Sequence, residues 1–335
     1  MKRALQLLLG ISVSALCVWL SMKDVNLGEV LTALRGANGF GFVLVMMVTI
    51  FGFWIRAVRW RYFIDAGRRL SLDSLFSATM IGFMANNLLP FRLGEFIRPW
   101  VLARREKLSK TTLLATVVVE RAIDMLTLLG IFGISVLVHP IAENTDAGRL
   151  VQWGARVLIG LCLALTVFVI AIERSRTLAQ AVVKRVTAPL PEATRARVAE
   201  MLERFVEGLG LFRDFGKLAV VFALSFAMFM CFACALGISL WSLGIDLPWY
   251  AGLTMLVITA IGIMVPAAPG YIGTLNIACT AGLSLFGVGK ALSVPFSWFY
   301  FFSQWLPITA VGLVLLNREG LSLRSLGQAE GREDA

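Results

Sequence analysis

Hydrophobic positions in this chain arrive in long blocks, neither alternating nor scattered. Residues 4–22, 40–58, 111–138, 150–172, 217–243 and 291–316 are nearly unbroken apolar runs. About 20 residues, each rising about 1.5 Å, are what a helix needs to cross the hydrocarbon layer. Two further apolar stretches, 72–90 and 249–286, are interrupted by Asn, Pro and Gly. The pattern predicts an all-α integral membrane protein. It would have about six full transmembrane helices and two broken segments that enter and leave on one side. Composition agrees: 58% of residues are hydrophobic and 16% charged, against roughly 45–50% and about 25% in soluble domains. The opening Met1-Lys2-Arg3 and its apolar run also suit a signal peptide. That run outlasts a secretory core and ends Trp19-Leu20-Ser21-Met22 without a small-x-small site, so it is read as a retained helix.

The net charge of +10 is concentrated in particular loops. That is the topology signal of an inner-membrane protein, and it argues against a nucleic-acid partner. Lys2 and Arg3 place the N-terminus in the cytoplasm, which makes 23–39 an outer loop. Arg56, Arg59, Arg61, Arg68 and Arg69 then mark a cytoplasmic stretch, as do Arg98, Arg104, Arg105, Lys107 and Lys110. Both can be inside only if 72–100 dips into the membrane and returns as a re-entrant hairpin. Beyond 111–138 and 150–172 lies a basic cytoplasmic linker, 174–216. Within it Val198, Met201, Leu202, Phe205, Leu209 and Phe212 recur at helical spacing, as in an amphipathic surface helix. After 217–243 the segment 249–286 starts and ends outside as a second hairpin, and 291–316 returns the C-terminus to the cytoplasm. Residues 1–317 thus form a single membrane domain with halves 1–138 and 150–317, followed by a disordered cytoplasmic tail, 318–335.

The two broken segments share a spacing. Pro90 and Gly94 are matched by Pro269 and Gly273, 179 residues later. The same offset carries 111–138 onto 290–317 and 40–58 into 217–243. Because the halves begin on opposite sides, the repeat is inverted. Paired Gly/Pro-interrupted segments in such halves point to the central site of a transporter.

Charged and amide residues gather at the same place. Asn86, Asn87, Arg92, Glu95 and Arg98 surround the first break, and Glu120, Arg121 and Asp124 interrupt an otherwise apolar helix. Each such charge costs commonly a few kcal/mol within a bilayer and so needs a reason. Glu120 and Asp124 share a helix face, Arg121 and Asp124 are close enough to pair, and Arg92, Glu95 and Arg98 are successively three apart. The expectation is a cross-linked network lining a hydrated cavity. Its arginines suit a lipid phosphate, and its carboxylates suit a cationic headgroup. A purely structural role, the ions pairing to fix hairpin against helix, stays open. At the second break Pro266, Pro269, Gly270, Gly273 and Asn276 either line the outer half of the pathway or simply break the helix.

Other chemistry finds little support in the sequence. The five cysteines, including Cys231-x-x-Cys234, fall inside apolar segments and read as packing residues. The single histidine, His139, excludes a multi-histidine metal site. No phosphate-binding glycine loop is visible, and no cofactor or metal is expected.

The motifs Asn86-x-Leu-x-Pro-x-Arg-x-Gly-Glu-x-x-Arg98, Glu120-Arg-x-x-Asp124 and Pro266-x-x-Pro-Gly-x-x-Gly273, in that order, resemble the lysylphosphatidylglycerol synthase transmembrane-region family. It is also called the flippase-like domain family. The resemblance covers roughly residues 4–317. It implies a cytoplasmic-membrane protein with lipid flipping as its activity, here without the soluble synthase domain of the bifunctional relatives. Many relatives carry an acidic residue just after the last glycine of the second hairpin. This chain has Thr274, Leu275 and Asn276 there, which argues against a cationic aminoacyl-lipid.

The expected function is therefore a non-enzymatic lipid flippase or transporter, with membrane lipids as partners. A homo-oligomer or a separate lipid-synthesising enzyme are its candidate protein partners. Two alternatives stay open. One is an intramembrane lipid-modifying transferase with Glu120 or Asp124 as base beside Arg92; the other is a scaffold for a partner lipid enzyme.

Overall fold

The computed structural model describes residues 12, 14–23, 25–64, 69–89, 92–138, 160, 185, 215–264, 269–323 and 326. Apart from Gly160, Arg185, Phe215 and Gly216, the expected helix 150–172 and the linker 174–216 lie outside them. So do His139, Pro90, Pro266 and most of the tail.

All regular structure among the described residues is helical, with no strand. Residues 14–22 are helical. They are followed by α1 (Leu27–Gly36), α2 (Gly39–Trp60), α3 (Leu72–Leu88), α4 (Gly94–Glu106) and α5 (Lys110–Val138). After these come α6 (Phe215–Ser242), α7 (Ala251–Gly262), a 3-10 turn Pro269–Tyr271, α8 (Thr274–Ser284) and α9 (Lys290–Arg318). Three spans, Gly39–Trp60, Gly216–Ser242 and Lys290–Arg318, are long and apolar enough to cross a membrane, with mean hydropathy 2.0, 2.5 and 1.6. The protein is accordingly an α-helical membrane protein. In α5, 29 residues long, Glu120, Arg121 and Asp124 break the apolar run.

The stretch 23–39, read from the sequence as a loop, contains α1. Its start is fixed by Asn26, whose Oδ1 accepts the Gly28 N–H at 2.8 Å, with Glu29 in the first turn and Arg35 in the last. Both charges oppose the helix dipole favourably. Asn38 does the same for α2, accepting from Phe40 N–H at 3.0 Å.

The chain forms two compact units, each drawing on both sequence halves. One comprises Met1–Ile55, Phe76–Val101 and Ala227–Ala335, and the other Arg56–Leu75 and Leu102–Phe226. In the first, α2 and α6 run antiparallel. Gly41 abuts Ser242 at one end, and Gly52 abuts Phe232 further along. Helix α9 lies along α2, with Phe42 edge-on to Phe299 at 5.2 Å and Gln304 Nε2 donating to Thr49 Oγ1 at 2.7 Å.

In the same unit two helix pairs double back on themselves. In α3–α4, Gly82 and Gly94 lie so close that a Cβ on Gly94 would collide with the Gly82 carbonyl and the Asn86 side chain. In α7–α8, Gly262 faces Ala278 and Met255 faces Gly282. Small residues at these crossings let the backbones approach. The helices of the two pairs also start at matching intervals: Leu72 and Ala251 are 179 residues apart, Gly94 and Thr274 180. Lys110 and Lys290, opening α5 and α9, are likewise 180 apart.

The α3–α4 crossing makes a direct prediction. Gly94→Ala should cost about 1–3 kcal/mol through overpacking, read as a lower melting temperature of the purified protein in detergent. Gly130→Ala on α5, where a Cβ meets nothing within 4 Å, should not lower it, since alanine favours the helix by about 0.5–1 kcal/mol over glycine.

Candidate functional site

In the second unit the carboxylates of α5 are held by arginines from α2. Arg59 Nη1 donates to Asp124 Oδ1 at 2.6 Å, and its Nη2 stands 3.1 Å from Glu120 Oε1. Arg56 Nη1 donates to Glu120 Oε1 at 3.0 Å and lies 3.5 Å from Asp124 Oδ2. Arg121 closes the cluster from α5 itself, its Nη2 3.1 Å from Glu120 and 3.2 Å from Asp124. Ser225 of α6 accepts from Arg59 Nη1 at 2.6 Å and donates to the Val221 carbonyl. Trp60 Nε1 donates to Thr116 Oγ1 at 2.9 Å one turn away. The four side chains of Arg56, Arg59, Glu120 and Asp124 are at most 7% exposed, while Arg121 is 37% exposed. The nest thus binds α2, α5 and α6 together.

Arg56 and Arg59 are the members of this cluster that the sequence reading did not single out as site residues; it counted them only with the basic stretch from Arg56 to Arg69. They lie in the last turns of α2 and are buried. Their spacing held the signal: they are three apart on an apolar helix, one helical face. That face matches Glu120 and Asp124, four apart on another.

In the first unit the two helix pairs touch at their turns. Arg92, in the α3–α4 turn, donates through Nη2 to the carbonyl of Ile263, the residue that ends α7. Its guanidinium lies 5.3 Å from the centre of the Tyr271 ring. Arg92 (φ 52°) and Tyr271 (φ 60°) both adopt the left-handed conformation that L side chains disfavour. Gly270 (φ 74°) packs against the Trp305 indole and the Asn87 carbonyl, and Asn87 Nδ2 donates to Thr309 Oγ1 at 3.1 Å.

The remaining expected site residues hold these turns in place. Asn86 Oδ1 accepts the Gly94 N–H at 2.8 Å, closing the first turn. Glu95 sits half-buried in the first turn of α4, favourably placed against the helix dipole. Arg98 is buried where α4 crosses α3 beside Gly82. Asn276 accepts the Gly273 N–H at 3.1 Å and donates to Ser297 Oγ at 2.9 Å, tying α8 to α9. Pro269 opens the 3-10 turn, and Gly273 (φ 88°) precedes α8. Among the described residues the partners of Arg92 are neutral; the expected pairing of this arginine with a carboxylate is replaced by a helix-end carbonyl and an aromatic face.

Long apolar helices, a buried ion nest and paired helices meeting at strained turns define a polytopic helical membrane protein with a polar interior. The chain belongs to the lysylphosphatidylglycerol synthase transmembrane-region family, whose model matches residues 7–312. It is 26% identical over 311 residues to a UPF0104 membrane protein of Methanothermobacter thermautotrophicus, covering 88% of this chain and 89% of that protein. It is 27% identical over 115 residues to a UPF0104 membrane protein of Methanocaldococcus jannaschii, covering 33% and 34%. It is also 24% identical over 133 residues to the glycosyltransferase AglD of Haloferax volcanii; that match covers 39% of this chain but 21% of the glycosyltransferase.

Removing one partner from a buried ion cluster leaves the others uncompensated. Arg59→Met should therefore cost about 3–5 kcal/mol, and Arg121→Gln, at the open edge, about 1 kcal/mol or less. Melting curves of the two variants in the same detergent check the order.

Proposed function

We propose that the protein is a lipid flippase or transporter of the cytoplasmic membrane, moving a phospholipid or related lipid between leaflets past two re-entrant hairpins. The observation that carries this reading is the contact of the two helix-pair turns, Arg92 against Tyr271. These residues are themselves 179 residues apart, so equivalent positions of the two halves face each other. That is what a two-fold axis between inverted repeats requires. The antiparallel run of α2 and α6, which open the two halves' matching series, supports the same inversion. Helices of 17, 13, 12 and 11 residues make up the pairs. At about 1.5 Å per residue each falls short of the roughly 30 Å hydrocarbon layer, as half-crossing segments do. Membrane lipids are the partners of this activity, with the termini and the basic linker in the cytoplasm.

The transferase reading draws support from one observation, the similarity to a glycosyltransferase over part of the chain. Reconstitution separates the two. Proteoliposomes carrying a headgroup-labelled fluorescent phospholipid should expose the inner-leaflet label to a membrane-impermeant quencher, with no sugar donor added. Rates equal to those of protein-free liposomes would remove the transport reading, and conversion of the lipid only with a sugar nucleotide would install the transferase. Movement of the first hairpin is tested by Asn87→Cys with Thr309→Cys in a cysteine-free background. The disulfide should stop translocation and its reduction restore it.

A further inference from the structure

We infer that Arg92 is the binding group for a lipid phosphate, which takes the guanidinium away from the Ile263 carbonyl and the Tyr271 ring and so frees one hairpin turn from the other. The inference rests on the transport reading for its role, though the site itself is argued from geometry alone. Arg92 carries a full charge and five donors in a planar fork. Among the described residues it is met only by neutral groups, one carbonyl and one π face. A phosphate offers the same fork two parallel charge-assisted bonds, which are about twice as strong as neutral ones and bidentate in geometry. The exchange therefore favours the phosphate. Glu95, the nearest carboxylate in sequence, forms no ion pair with Arg92 among the described residues.

Backbone geometry points to the same two residues. Arg92 and Tyr271 meet across the turns, and both have positive φ, at 52° and 60°. Strain of this kind persists where the surroundings hold it, and it collects at ligand clamps and switch regions. The contact that the phosphate would break is thus one under load.

A groove of about 640 Å³ argues for a lipid rather than free phosphate. It is lined by apolar side chains, among them Val43, Met47, Ile50, Trp54, Phe76 and Pro307. The groove follows α2 and reaches α9 at Pro307. It offers an apolar surface for an acyl chain, which free phosphate does not carry.

The test uses the full chain in detergent with three probes: dioleoylphosphatidylglycerol, dioleoylglycerol of the same chains, and inorganic phosphate. Binding is read by native mass spectrometry and by thermal stabilisation. Phosphatidylglycerol should bind the wild type and bind Arg92→Gln about tenfold more weakly, the loss of one charge-assisted site. Arg92→Lys, which keeps the charge and loses the fork, should fall between them, and dioleoylglycerol should bind weakly to both wild type and Arg92→Gln. Equal affinity of phosphatidylglycerol for wild type and Arg92→Gln, with unchanged melting of the lipid-free variant, would overturn the site. Stabilisation by inorganic phosphate as large as that by the lipid would overturn the lipid assignment. If Arg92→Gln fails to fold, equal binding by wild type and Arg92→Lys overturns the bidentate fork on its own. Arg92-dependent binding without translocation by the wild type would sink the transport reading and leave the site standing. Wild-type translocation retained in a folded Arg92→Gln would do the reverse.

Discussion

A charge inside an apolar environment must find an opposite charge or an oriented dipole, because the idealised cost of leaving it alone exceeds what a fold can spare. This requirement organises the molecule. In one unit it draws α2, α5 and α6 together around Arg56, Arg59, Glu120, Arg121 and Asp124, with Ser225 completing the shell of Arg59. In the other it is met differently. Arg92 has a helix-end carbonyl and an aromatic ring, both weaker partners than a carboxylate.

The contrast separates two tasks. A guanidinium shared between two carboxylates within 3.5 Å is bound too well to let go cheaply, and such a cluster specifies which helices pack together. A guanidinium on a carbonyl can be outbid by an anionic ligand. Glu120 and Asp124, which the sequence offered as a substrate site, are paired in this structure with arginines of α2. The first-hairpin arginine is the group with capacity to spare. Glycine supplies the complementary constraint. At Gly82 and Gly94 the backbones of α3 and α4 come close, and Gly262 and Gly282 make room for Ala278 and Met255 between α7 and α8.

Much of this was legible along the chain. The apolar blocks 40–58, 111–138, 217–243 and 291–316 coincide, to within three residues at each end, with α2, α5, α6 and α9, since twenty unbroken apolar residues leave a chain few conformations but the helix. Proline and glycine marked the turns near Gly94 and Gly270, and the 179-residue spacing of the breaks reappears in the starts of the helices. The short α1 was missed because its signal is a cap rather than a block, with Asn26 opening ten residues that carry both apolar and charged side chains.

By itself the sequence determined the class of protein, the positions of α2, α5, α6 and α9 and the breaks near Gly94 and Gly270, because hydrophobic length and backbone-breaking residues act locally. Only the tertiary structure decided which charges are partners. Arg56 and Glu120 are 64 residues apart and Arg92 and Ile263 171, and helical spacing shows which charges share a face without naming the groups they meet. That choice belongs to helix packing, which sets the distances over which a buried charge can find its counter-charge.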